Sequence, residues 1–262
     1  MKKILLLTCL LMTAAMPVAA QQAVISLIID DLGNDAQVAE QALQLPGPIA
    51  YAILPGTPYD QVIALRARDL GKQVMLHIPM EAEHDKPLGP KALTSNMSEV
   101  DFKAVLQDAL ATVPNVAGLN NHMGSLLTQN ADAMRWVMQV LKQQQLFFVD
   151  SRTSAHTVAE SIANETGVRA MRRDVFLDHS REPKDIARQY RRLLQLAQRQ
   201  GWATGIAHPY PETIEFLKFA LPQLEQNNIR LVFASEMYDI QRSTTWAESS
   251  SPSHKVAKNW KP

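Results

Sequence analysis

Residues 23–33 read AVISLIIDDLG. Six of the first seven are apolar, and Val and Ile dominate. A short apolar run of this kind reads as a strand buried on both faces, as parallel sheets require. It then stops on two carboxylates and a glycine. Adjacent carboxylates closing a buried strand repel each other, which is costly without a cation. The alternative is structural: the pair belongs to the N-cap region of a helix starting near Asp35.

Moving outward, similar apolar runs fall at residues 49–54, 74–78, 116–120, 146–149, 168–177, 203–207 and 229–233. Helical patterns lie between them at 35–43, 59–70, 98–111, 132–144, 157–166, 184–199 and 212–226. The clearest has Ile186, Tyr190, Leu193, Leu194 and Ala197 on one stripe, with its arginines mostly off it. Repeated strand–helix alternation predicts an α/β fold with a parallel sheet. One helix of similar length after nearly every strand favours a (β/α) barrel over an open sheet.

The N-terminus predicts export. Lys2 and Lys3 precede an apolar run from Ile4 to Met16, and Val18-Ala19-Ala20 offers small residues for cleavage after Ala20. The run is short for a membrane span. Residues 1–20 are therefore read as a signal peptide and the protein as periplasmic. Residues 21–242 are read as one domain, and 243–262 as a flexible tail rich in Ser, Thr, Lys and Pro. The single cysteine, Cys9, lies in the signal, so no disulfide is expected. The chain has 26 basic and 26 acidic residues, and cleavage removes two lysines. That balance gives no reason to expect nucleic acid as a partner. No membrane span is expected after cleavage.

Working residues in such folds gather where strands end. The exits here carry Asp30-Asp31, His77, Asn120-Asn121-His122, Asp150-Ser151, Asp178-His179 and His208. Three of seven histidines directly end or follow an apolar strand. Each residue alone has a structural reading: a satisfied core imidazole for His77, turn formation around His122 and Gly124, a loop position for His208, a cap for Asp150. Together they converge on one mouth if the sheet closes. An Asp with two imidazoles suits zinc or a similar divalent ion with open positions. No H-E-x-x-H pair, G-x-G-x-x-G, P-loop or G-x-S-x-G is present.

At these residues the chain resembles a known family. Ile28-Ile29-Asp30-Asp31-Leu32-Gly33 looks like the first motif of polysaccharide deacetylases of the carbohydrate esterase (NodB-type) superfamily. His77-Ile78-Pro79-Met80-Glu81, Gly118-Leu119-Asn120-Asn121-His122-Met123-Gly124-Ser125, Asp150-Ser151-Arg152-Thr153-Ser154 and His208-Pro209 look like its divergent, YibQ-like branch. The resemblance covers residues 23–235. It implies a distorted (β/α) barrel of about seven parallel strands and a metal-dependent deacetylase, zinc being the expected ion. It also implies that Asp30 is the general base, Asp31 a metal ligand and His208 the general acid. The family's second histidine, four residues after His77, is Glu81 here. Either Glu81 or His122 then completes the metal set with Asp31 and His77, and His122 is favoured because it directly follows a strand. The family's arginine–proline motif on the fourth strand is missing. Asn121, Ser125 and Asp150 are expected to bind substrate, an N-acetylated envelope glycan. A non-catalytic glycan-binding barrel and another metal-dependent amidase are the competing readings.

Overall fold

The computed structural model describes residues 22–84 and 86–250. Strand and helix alternate as β1 (Ala23–Leu32), α1 (Ala36–Leu43), β2 (Ala50–Ile53), α2 (Asp60–Asp69), β3 (Gln73–Met80), α3 (Glu99–Thr112), β4 (Val116–Met123), α4 (Ala131–Gln143), β5 (Phe147–Asp150) and α5 (Ala159–Thr166). They continue as β6 (Ala170–Arg172), β7 (Val175–Phe176), α6 (Pro183–Gln200), β8 (Trp202–Ala207), α7 (Pro211–Ala220), β9 (Ile229–Val232) and α8 (Ala234–Ser250).

The strands form one sheet in the order β6-β5-β4-β3-β2-β1-β8-β7, with β9 also paired to β1. All of these ladders are parallel. β6 and β7 sit at opposite ends of this order yet are joined by only Arg173 and Asp174. The sheet must therefore curl on itself into an incomplete barrel, closed by the chain and not by a ladder. This refines the expectation of one strand over 168–177. The chain leaves the edge of β5, where the Arg173 N–H donates to the Asp150 carbonyl, and joins β8, where the Asp174 N–H donates to the Thr204 carbonyl. The Asp174 carboxylate accepts the Thr204 N–H in return at 2.8 Å. One strand cannot serve both edges, so it breaks into two.

Strand parity sorts the core into two layers. Ile25, Leu27 and Ile29 of β1 face the helices, with Leu76, Ile78, Leu119 and Phe148. Val24 and Ile28 face inward with Ala50, Ala52, Met75, Phe147, Val149, Met171 and Ile206. α8 packs against β1, β6 and β8 and adds Ala234 and Met237 to this inner cluster. It sits at the end where β1 begins, so the opposite end is left for the strand exits. Residues 243–250, expected to belong to a tail, continue this helix. Residues 1–21 and 251–262, which include the expected signal peptide, lie outside the described residues. Among the described residues no helix is long and apolar enough to cross a membrane.

Two local features set the exit of β1. The cap of α1 is Asp35, whose carboxylate accepts the N–H groups of Gln37 and Val38 at 2.8 and 3.0 Å. Asp30 and Asp31 are thereby released from capping. Gly33 follows at φ +131°, and a Cβ there would lie 2.1 Å from Thr57 Oγ1 and 3.1 Å from the Leu54 carbonyl oxygen. Gly33→Ala is expected to destabilise the fold by about 1–3 kcal/mol or more. Urea unfolding checks this, and an unchanged midpoint would contradict it.

Candidate functional site

Parity carries Asp30 inward, because it follows Val24, Ser26 and Ile28 on one face of β1. Asp31 should then point outward to the helices. It does not, because its backbone is left-handed at φ +61° and the β1–β2 register shifts between Ile29 and Leu32. This bulge turns Asp31 back over the mouth. Non-glycine residues tolerate that conformation at a cost of about 1–2 kcal/mol, least for Asp and Asn. Met123 and Arg152, just past or at the ends of β4 and β5, are also left-handed, at φ +53° and +52°. Three strand exits around one mouth thus store backbone strain, as functional sites often do.

β3 brings His77 inward by the same alternation, beyond Met75. On β4, Asn120 lies beside His77 in the ladder, and His122 follows two residues on. Asp31 Oδ1 lies 2.9 Å from His122 Nδ1 and 3.2 Å from His77 Nε2. The two imidazole nitrogens are 3.2 Å apart. Despite these short distances, Asp31 Oδ1 is buried without a hydrogen bond of proper geometry. Three ligand-type atoms aimed at one another, one of them an orphaned carboxylate oxygen, fit a cation better than they fit each other. Asp31, His77 and His122 are the set among the described residues that could hold a metal ion, their ligand atoms lying within 4.8 Å of one another. Glu81 is turned elsewhere, its carboxylate accepting the Ser95 N–H at 2.6 Å.

Asp30 lies beside this set. Its Oδ2 is 3.6 Å from His77 Nε2, and its Oδ1 accepts from the Asn120 amide at 2.8 Å. Burial pushes its carboxyl above the ordinary range, against the pull of His77, His208 and Asn120. Asp31 goes the other way. Burial would raise it, but the close imidazoles of His122 and His77 hold it well below the carboxylate range. His77 is likewise desolvated, yet Asp30 and Asp31 carry it up to about 9. The carboxylate pair thus creates a demand for positive charge at this point.

His208 follows β8 and completes the mouth, its Nε2 3.7 Å from Asp31 Oδ2. Its orientation comes from Asp178, which follows β7. The buried Asp178 carboxylate accepts the His208 backbone N–H at 2.7 Å, the Thr213 hydroxyl at 2.9 Å and His208 Nδ1–H at 3.0 Å. Nε2 is left facing the mouth. Burial would depress this imidazole, but Asp178, Asp30 and Asp31 raise it. The ring also packs edge-on to Phe176 with centroids 5.0 Å apart and stacks on Tyr210 at 5.4 Å. Arg173 covers Phe176 and Arg181 covers Tyr210, at 5.1 and 4.6 Å.

Three residues expected at the substrate are used differently. Asn121 is buried, accepting the Ser151 N–H at 2.9 Å and donating to the Met123 carbonyl at 2.7 Å. Asp150 is fully buried and accepts the Arg152 N–H and the Thr157 hydroxyl. Both point away from the inner face and brace the β4 and β5 exits. Ser125 Oγ accepts the Glu83 N–H at 2.9 Å, tying down the loop after β3. Conversely, Asn120 and Asp178, which carry no assigned role in the sequence, hold Asp30 and His208 directly. Arg173 supplies a cation from the β6–β7 joint, not from β4. Its guanidinium donates to the Ser151 and Arg152 carbonyls, and its charge acts on Asp150 and Asp30.

Comparison with known proteins agrees with this architecture. Residues 27–238 match the family described as divergent polysaccharide deacetylase. The Escherichia coli K12 protein YibQ is 36% identical over 227 residues, covering 87% of this chain and 70% of YibQ. An Agrobacterium tumefaciens C58 protein of solved structure superposes with a TM-score of 0.80 at 22% identity, over 84% of this chain and 90% of that one. A mutant of the peptidoglycan deacetylase PdaC of Bacillus subtilis shares the fold more distantly, with a TM-score of 0.51 at 13% identity, over 93% of this chain and 100% of that one. With its sequence matched across the barrel and its strand exits, this chain belongs to the divergent polysaccharide deacetylase family.

Proposed function

We propose that this protein is a metal-dependent hydrolase that removes acetyl groups from N-acetylated sugars of an envelope polysaccharide. The observation that carries the reading is the Asp31–His77–His122 cluster, with its orphaned buried oxygen, flanked by Asp30 and His208. Asp31, His77 and His122 would hold a divalent ion, and zinc suits their oxygen and nitrogen donors. When bound, such an ion acts as a Lewis acid toward the amide carbonyl and makes water a better nucleophile near neutral pH. Asp30, inside the mouth and with a raised pKa, takes the proton of the attacking water. His208 gives a proton to the leaving sugar amine, and Asp178 keeps its Nε2 aimed there. The left-handed exits hold these groups in place before substrate arrives.

Acetate release from N-acetylated glycan oligomers, measured with the metal-loaded protein and with its chelated form, tests the reading. Release that depends on the metal is expected. A metal-loaded protein that binds the glycan but frees no acetate would overturn it in favour of a binding role. Asp178→Asn is expected to lower kcat about 10²-fold with little change in KM, because the wrong imidazole tautomer becomes available. Steady-state kinetics would contradict the role if kcat held. Envelope substrate and export rest on residues 1–20, and N-terminal sequencing of the exported protein checks cleavage after Ala20.

A further inference from the structure

Asn120 is completely buried, yet every polar atom of its side chain is engaged with the mouth. Its Oδ1 lies 2.8 Å from His77 Nδ1. Its Nδ2 donates to Asp30 Oδ1 at 2.8 Å and, at 3.4 Å, to Ser151 Oγ. Since Nδ2 serves a carboxylate, Oδ1 is the acceptor toward His77, so His77 carries its proton on Nδ1 and presents Nε2 to Asp31 and His122. One side chain therefore sets the imidazole tautomer on one side and holds the inner carboxylate on the other. Support for it is itself ordered: Ser151 is tied through its N–H to Asn121 and through its carbonyl to Arg173.

We infer that Asn120 is a positioning residue that couples the metal ligand His77 to the base Asp30, through a neutral amide that donates to one and accepts from the other. The inference rests on the metal-dependent reading above and adds a separation of functions that a space-filling residue would not show. Asn120→Asp keeps the shape and an acceptor for His77 Nδ1–H. It removes the donor to Asp30 and sets a like charge against it. Asn120→Leu keeps the approximate volume and removes the hydrogen bonds to His77, Asp30 and Ser151.

The test is Zn²⁺ titrated alone into metal-stripped full chain, by calorimetry, beside kcat for acetate release. Asn120→Asp is expected to bind Zn²⁺ within about threefold of the parent, because a carboxylate is a good partner for a ligating imidazole. Its kcat should fall about 10²-fold, with thermal melting showing a folded chain. Asn120→Leu should weaken Zn²⁺ binding by about 10–100-fold. Unchanged zinc affinity in the Leu variant, or parallel loss of zinc and rate in the Asp variant, would overturn the inference. A parent chain that binds Zn²⁺ but releases no acetate would end the hydrolase reading and the coupling to a base with it. The zinc series would then still decide whether Asn120 orients His77.

Discussion

Asp31→Asn is expected to weaken metal binding at least about 100-fold and to abolish hydrolysis. The comparison is with partners of a ligand, whose loss typically costs 10–100-fold in affinity; Asp31 is placed to be a ligand itself and the only carboxylate in the cluster. The substitution is chosen for its backbone. Asp31 sits at φ +61°, where asparagine is among the few residues tolerated, so the bulge that aims the side chain should survive. What is lost is the charge on the oxygen lying between His77 and His122. Loss of the ion's charge stabilisation, several kcal/mol, corresponds to about 10³-fold or more in rate. Metal titration and acetate release read the two effects separately. A variant that kept both would remove Asp31 from the centre.

Asp30→Asn is the complementary result. Rate should fall about 10²–10⁴-fold, the usual contribution of a positioned base, while metal affinity stays near that of the parent. The reason is geometric. Asp30 Oδ2 stands 3.6 Å from His77 Nε2, farther than Asp31 Oδ1 at 3.2 Å, and its other oxygen is committed to Asn120. Asparagine at position 30 can still accept from Asn120 but cannot take a proton from water. Loss of metal together with activity would instead make Asp30 a ligand, and full activity would remove it as the base.

The barrel was legible because its strands are short, apolar and regularly interrupted by helices. Burial on both faces leaves such a pattern in sequence wherever a parallel sheet is made. The mouth was legible in outline, since Asp30, Asp31, His77, His122 and His208 all stand at strand exits. What escaped depends on quantities a sequence does not carry. Asn120 and Asn121 are neighbours of the same type, and only strand parity decides which faces inward; a slip of one residue reverses it. Asp178 meets His208 across the β7–β8 pair, a contact with no local signature. The two-strand break at Arg173-Asp174 arises because one segment must meet both edges of the curled sheet. α8 (Ala234–Ser250) was missed along its whole length; its second half, rich in Ser and Thr, has the composition of a linker.

Asp31 is also where sequence and structure together say most. Two consecutive carboxylates cannot both face one mouth along a regular strand. The β1 bulge makes it possible, and a cation held by Asp31 beside Asp30 would account for that strained arrangement. The metal content of the purified full chain tests this most directly. The account predicts about one equivalent of a divalent ion, retained in Asp30→Asn and lost in Asp31→Asn. A parent chain that takes up no divalent ion even when one is supplied, or an Asp31→Asn variant that holds it as tightly, would contradict it.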